Sequence, residues 1–232
     1  MATGGRVKKE KLYKDLPRPK LNRAQIGEIY AHLERLDPNP KTELNYSNPY
    51  TLVVAVALSA QSTDVGVNKA TKALFAKADT PEKMVALGED TVRDHIKTIG
   101  LYKNKAKNVI ALSKMLLEDY EGVVPQTRED LIRLPGVGRK TANVVMNEAF
   151  GHPTMAVDTH IFRVANRTGM APGKDPYEVE LNLLRVTPEE FALGAHHWLI
   201  LHGRYTCVAR KPKCYNCAVS DICKFRPKTK AP

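Results

Sequence analysis

No stretch of this sequence runs the roughly 18 uninterrupted apolar residues that suggest a membrane-spanning helix. The N-terminus is basic and broken by prolines, where a secretory signal would be charged and then apolar. Neither a repeat of solenoid period nor a low-complexity tract is present, which excludes a repeat array. Strand-like alternation is scarce, and cysteine is absent from the first 206 residues. These absences point to a soluble, cytoplasmic, monomeric, all-α protein. With 43% hydrophobic residues in 232, the chain can fill one large core or two modest ones.

Charge is concentrated at the ends. The net +11 divides into +5 over residues 1–20 and +6 over 207–232, while 21–206 holds 22 basic and 22 acidic residues. Such clustering suits a polyanion, because neutralising phosphates releases condensed counterions. Solvated tails are the alternative. For the C-terminal end, cysteines interleaved with the bases argue for order.

Several segments carry helical spacing. Leu21 to Leu36 is amphipathic between proline-rich punctuation, and Thr51 to Ala60 is apolar throughout, a buried helix by context. From Tyr102, the residues Ala106, Val109, Leu112 and Leu116 mark one helical face. Shorter patterns cover 64–76, 81–87, 128–133, 141–150, 159–167 and 189–201. Short connections between them imply about ten helices in two packed clusters.

Two glycines after Pro135 make a tight turn between helical patterns, Leu134-Pro135-Gly136-Val137-Gly138-Arg139-Lys140. Lacking side chains, Gly136 and Gly138 let backbone N–H groups and a helix N-terminus approach an anion such as a DNA phosphate. A glycine used only for its turn conformation is the competing reading. Lys140 falls in the first turn of the second helix, where the dipole works against a cation and favours a nucleophilic amine. It also reads as one more DNA-facing base. Asp158 precedes a helical pattern and reads first as an N-cap, with a catalytic carboxylate as the functional alternative. His160, His196, His197, Trp198 and His202 read as structural.

The four cysteines, Cys207, Cys214, Cys217 and Cys223, follow a 6-2-5 spacing within 26 residues. Their concentration argues for a single metal centre over disulfides. Zinc and an iron-sulfur cluster share these ligands, so the residues alone leave both open.

The strings LPGVGRKTANVVMNEAFG and VDTHIFRVANRTG resemble the endonuclease III family of helix-hairpin-helix DNA glycosylases. TELNYSNPY, LSAQSTDVGVNKAT, IKTIGLY and HHWLILHGRYTC extend the resemblance over about Asn22 to Cys223. It implies a base-excision-repair N-glycosylase that removes oxidised pyrimidines of the thymine-glycol type and cleaves the abasic site by β-elimination. Lys140 would be the Schiff-base nucleophile and Asp158 its partner. Related adenine-mismatch glycosylases lack a lysine at this position, which favours a bifunctional enzyme over a monofunctional one; a non-catalytic iron-sulfur DNA-binding protein is the rival of another class. The resemblance also implies a 4Fe-4S cluster on the four cysteines, which would set Arg210, Lys211 and Lys213 against the backbone of double-stranded DNA. Gln61 and Leu101 would fill the stack beside the extruded base, and Gly136 to Arg139 would hold phosphate.

The domains implied are a six-helix domain over 42–153, with the hairpin motif at 128–150, and a discontinuous cluster domain from 21–41 and 154–227. A cleft between them would hold the active site. A flexible basic extension (1–20) and a short basic tail (228–232) complete the expected plan.

Overall fold

A computed structural model describes residues 13–232; most of the basic extension expected over 1–20 lies outside the described residues. Among these there are eleven α-helices and no strand. In chain order they are α1 (Arg23–Leu36), α2 (Pro49–Leu58), α3 (Asp64–Phe75), α4 (Pro81–Leu87), α5 (Glu89–Ile96) and α6 (Tyr102–Tyr120), followed by α7 (Arg128–Leu131), α8 (Arg139–Phe150), α9 (Thr159–Thr168), α10 (Pro176–Val186) and α11 (Ala195–Tyr205). No helix among the described residues is long and apolar enough to cross a membrane. The chain divides into two compact units, one of 41–152 and one of 13–40 with 153–232.

In the 41–152 unit, α2 is buried from Tyr50 to Leu58, which accounts for its apolar run. Asn48 caps it in a capping box with Thr51, and Pro49 occupies the first turn, where its missing N–H costs nothing. Helices α3, α6 and α8 pack against α2, while α6 also carries α4 and α5. Leu52, Leu58, Leu74, Met84, Ile96, Leu112 and Leu116 are fully enclosed in this core. Burial of each such side chain contributes about 1.5–3 kcal/mol. The Tyr50 hydroxyl meets the Ser113 hydroxyl at 2.6 Å, satisfying two polar groups in the interior.

The other unit is built on α1, α9, α10 and α11, with α9 and α11 in close contact. Closeness depends on Gly203, where a Cβ would come within 2.8 Å of the His160 Cβ. Tyr30, Phe191 and Trp198 form an aromatic cluster with ring centroids 5.8 to 6.4 Å apart. Their polar tips are satisfied, Trp198 donating to the Asp37 carbonyl at 2.8 Å and Tyr30 meeting Thr187 at 2.9 Å.

Three helical expectations change. The pattern over 189–201 is two elements, a 3-10 turn at Glu189–Phe191 and then α11, whose N-cap Gly194 leaves room for the Trp198 ring, which a Cβ would meet at 2.6 Å. Helix α5 was not anticipated; only Val92 and Ile96 are buried in it, too few to make a periodic signal. Helix α10 was also not anticipated, because buried Glu180 and Asn182 interrupt its apolar face. Its start signal, Asp175 capping Glu178 N–H ahead of Pro176, was nonetheless legible.

Candidate functional site

The hairpin between α7 and α8 is rooted in the core at every third residue: Leu131, Leu134 and Val137 are 0, 1 and 6% exposed. Val137 therefore offers neither of the groups expected to meet DNA. Its side chain is in the core and its N–H donates to the Leu134 carbonyl at 3.0 Å. Gly136 sits at φ 81°, and a Cβ there would press on Asn108 at 3.1 Å, so both its conformation and its surroundings call for glycine. A Cβ on Gly138 would meet nothing within 4 Å. Gly138 caps α8 without a side-chain hydrogen bond, and the first turn holds no acidic residue. The positive end of the helix thus opens toward Arg139 and Lys140, both exposed. Arg128 Nε donates to the buried Asn143 Oδ1 at 2.8 Å and ties α7 to α8.

The same unit presents Gln61 and Leu101 in the left-handed region, at φ 55° and 57°. For residues other than glycine this conformation is strained, and such strain clusters at functional sites. Leu101 is 57% exposed, which rules out an ordinary core leucine. Gln61 is likewise exposed and lies in the turn beyond the end of α2. Leu101, Gly136 and Ala60 line one cavity of about 150 Å³, so the two turns and the hairpin lie together. Its wall includes Lys105, 7% exposed, whose Nζ donates to Ser62 Oγ at 2.8 Å and whose pKa burial pushes down.

Asp158 belongs to the other unit and is the N-cap of α9. Its Oδ1 accepts from His160 N–H and Ile161 N–H, both at 2.9 Å. One carboxylate oxygen performs both capping bonds. Two arginines one turn apart on α9 then reach the loop that begins at Cys207. Arg163 donates to the carbonyls of Cys207 and Gly203 at 2.8 and 2.7 Å. Arg167 donates to the carbonyls of Val208 and Ala209, both at 2.8 Å, approaches Cys207 Sγ at 3.6 Å, and lies over the Phe225 ring.

All four cysteines line one pocket, with Thr168, His202, Val219 and Lys228 among its other walls. The thiols are close enough to act on each other. Burial pushes the Cys217 thiol up, a backbone hydrogen bond at Val219 pulls it down, and the charges of Cys223, Cys207 and Cys214 push it up again. At Cys214 burial also pushes up, but hydrogen bonds at Thr229 and the charges of Lys228 and Arg167 outweigh it, and the net direction is down. Among the described residues, no three Cys, His, Asp or Glu side chains are placed to hold a metal ion. His202 lies 3.7 Å from Cys217 Sγ, with burial holding its imidazole down at about 4. Arg210, Lys211 and Lys213 are exposed on the loop between Cys207 and Cys214, Lys211 at φ 51°.

One unit thus brings together Lys140, Arg139, the hairpin glycines, Gln61 and Leu101; the other brings together Asp158, the cysteines and the basic loop. Reasoning from residues had missed Lys105, hidden among several lysines of α6, and the Arg163 and Arg167 clamp. The i, i+4 spacing of those arginines after Asp158 was the available signal for the clamp.

The family described as HhH-GPD superfamily base excision DNA repair protein matches residues 54–189. Endonuclease III of Escherichia coli (strain K12) is 57% identical over 208 residues, 90% of this chain and 99% of that one. The Haemophilus influenzae endonuclease III is 55% identical over the same shares. Among solved structures, a trapped endonuclease III-DNA covalent intermediate, in an estranged-adenine complex, is similar at a TM-score of 0.82 and 44% identity, over 88% of this chain and 96% of that one.

Proposed function

The chain belongs to the HhH-GPD superfamily of base excision DNA repair proteins and within it to the endonuclease III family, and from that membership we propose how its own residues carry out the reaction. It is a DNA glycosylase with abasic-site lyase activity. The observation that carries the mechanism is Lys140, an exposed amine in the first turn of α8, directly after the glycine hairpin.

The neutral amine of Lys140 attacks C1′ of an extruded nucleotide, and the N-glycosidic electron pair leaves with the base. Loss of the amine proton and opening of the sugar ring give an imine. Removal of a C2′ proton then expels the 3′ phosphate and breaks the strand. Asp158 carries the carboxylate that stabilises positive charge on the sugar and aids proton transfer. Since its cap uses Oδ1 for both bonds, the second oxygen is the one assigned to this work. The substrates are oxidised pyrimidines of the thymine-glycol type in double-stranded DNA, and the resulting abasic sites. Gly136, Gly138 and Arg139 hold phosphate, Val137 serves as the hairpin's anchor, and Gln61 and Leu101 fill the space left in the stack. The protein acts as a monomer on the intracellular chromosome.

Cys207, Cys214, Cys217 and Cys223 fit a 4Fe-4S cluster, because all four thiols line one pocket and thiolates are the ligands such a cluster takes. When bound, the cluster supplies a covalent fastening for the loop that bears Arg210, Lys211 and Lys213, and no catalytic group. On this reading 41–152 is the hairpin domain, and 13–40 with 153–232 is the cluster domain. Borohydride reduction during reaction with a thymine-glycol duplex tests the mechanism. The expected result is a covalent protein-DNA band, lost in Lys140→Gln; efficient trapping by Lys140→Gln would overturn the assignment.

A further inference from the structure

Lys105 is a buried lysine of the 41–152 unit, 7% exposed in the wall of the cavity beside Leu101, and neither the imine chemistry nor phosphate binding uses it. A methionine would fill the same space without the cost of desolvating an ammonium. The bond it makes is to the Ser62 hydroxyl, at 2.8 Å. Ser62 directly follows the strained Gln61. Lys105 stands one helical turn after the strained Leu101, whose carbonyl accepts its backbone N–H at 3.0 Å. The turns also touch elsewhere, since a Cβ on Gly100 would lie 3.7 Å from the Gln61 carbonyl oxygen. Leu101 itself caps α6 without a side-chain hydrogen bond. On the other turn, Ser62 N–H donates to the Ser59 carbonyl at 3.0 Å and Thr63 caps α3, so that turn is locally fixed and can serve as the anchor.

We propose that Lys105 is a positioning residue for DNA distortion, its ammonium fastening the Leu101 turn to the Gln61 turn through Ser62 so that both side chains enter the base stack as one wedge. This rests on the reading of Gln61 and Leu101 as the inserting residues. A buried ammonium bonded to a neutral hydroxyl is a short, directional tie. Without it the two strained turns would sample separate positions, and entry of one would no longer place the other.

The test uses the full chain and a duplex with 2-aminopurine beside an abasic site, whose fluorescence rises as stacking is lost. Cleavage of that duplex is compared with cleavage of the same site in a single strand, which has no stack to enter. Lys105→Met and Ser62→Ala are expected to slow the fluorescence rise and to lower the duplex-to-single-strand rate ratio, each by about tenfold. The double variant is expected to be no worse than either single one, because both remove the same bond. Ser62→Thr keeps the hydroxyl and should stay within about twofold of the parent. An equal loss on both strand forms would mean a merely structural role and overturn the proposal. So would an unchanged rise in Lys105→Met and Ser62→Ala while Gln61→Ala and Leu101→Ala abolish it, leaving the insertion reading intact. An unchanged rise in Gln61→Ala and Leu101→Ala would overturn the insertion reading and the tie with it. If Lys105→Met does not fold, Ser62→Ala, which removes one hydroxyl from a partly exposed turn, decides the matter.

Discussion

In the 41–152 unit, the candidate turns grow out of an apolar core: the hairpin through Leu131, Leu134 and Val137, the turns of Gln61 and Leu101 through α2 and α6. In the cysteine loops, Pro212 and Val219 are the only buried residues between 206 and 230. Here order comes from Arg163 and Arg167 bonding to loop carbonyls, from Lys228 reaching the carbonyls of Ser220 and Cys223, and from four thiols about one pocket. One region is held by displaced water and the other by directional bonds. A loop of some 25 residues with two buried side chains gains little from apolar burial against its ordering entropy, which is the cost the proposed cluster would offset.

The largest expected effect separates catalysis from both modes of support. Lys140→Gln, on the surface of the apolar unit, should lower abasic-site cleavage on the order of 10³-fold or more while leaving the thermal midpoint unchanged. Removing the cluster by chelation or Cys217→Ser should bring the sharpest structural contrast. Protease should cut within 206–230 while peptides from 41–152 remain protected, and uniform cleavage of both would break the comparison. Leu116→Ala probes the opposite side; losing this fully buried side chain should cost about 2–5 kcal/mol in denaturant unfolding. The visible absorbance of each cluster still bound should be undiminished. Asp158 allows a finer cut. Asn keeps the capping oxygen but not the charge, so Asp158→Asn should hold stability and lose turnover, whereas Asp158→Ala should lose turnover and about 1 kcal/mol besides.

The smallest effect is one the units share. Burial pushes the hydroxyls of Tyr30 and Tyr50 above their ordinary value near 10, one in each unit. With the folded pKa above the unfolded one, the stabilisation is complete below about pH 10 and is lost as pH rises through the folded values. Circular dichroism through an alkaline titration should show helix loss beginning above pH 10, later in Tyr50→Phe than in the parent if that group contributes.

Helices with a clear pattern were legible: α6 from its face and α4 from its pattern over 81–87, whereas the apolar run of α2 gave a helix only by context. The hairpin was legible because glycines follow Pro135, although only Gly136 has a conformation and surroundings that call for one. What escaped reading was whatever depends on a partner distant in sequence. Position 194 takes a glycine because the Trp198 ring needs the space. Lys105 looks like its exposed neighbours Lys103 and Lys107 until the Ser62 turn is folded against it. For Lys140 the pattern supplied a position, and family resemblance supplied the chemistry.

The roots of the hairpin have a consequence for recognition. On the proposed reading of the hairpin as a phosphate site, the buried side chains of Leu131, Leu134 and Val137 hold the turn from beneath. Capture of a phosphate there involves no folding of the loop, so little conformational entropy is lost on contact. On that reading the hairpin would act as a fixed post, and the deformation on binding would fall on the DNA.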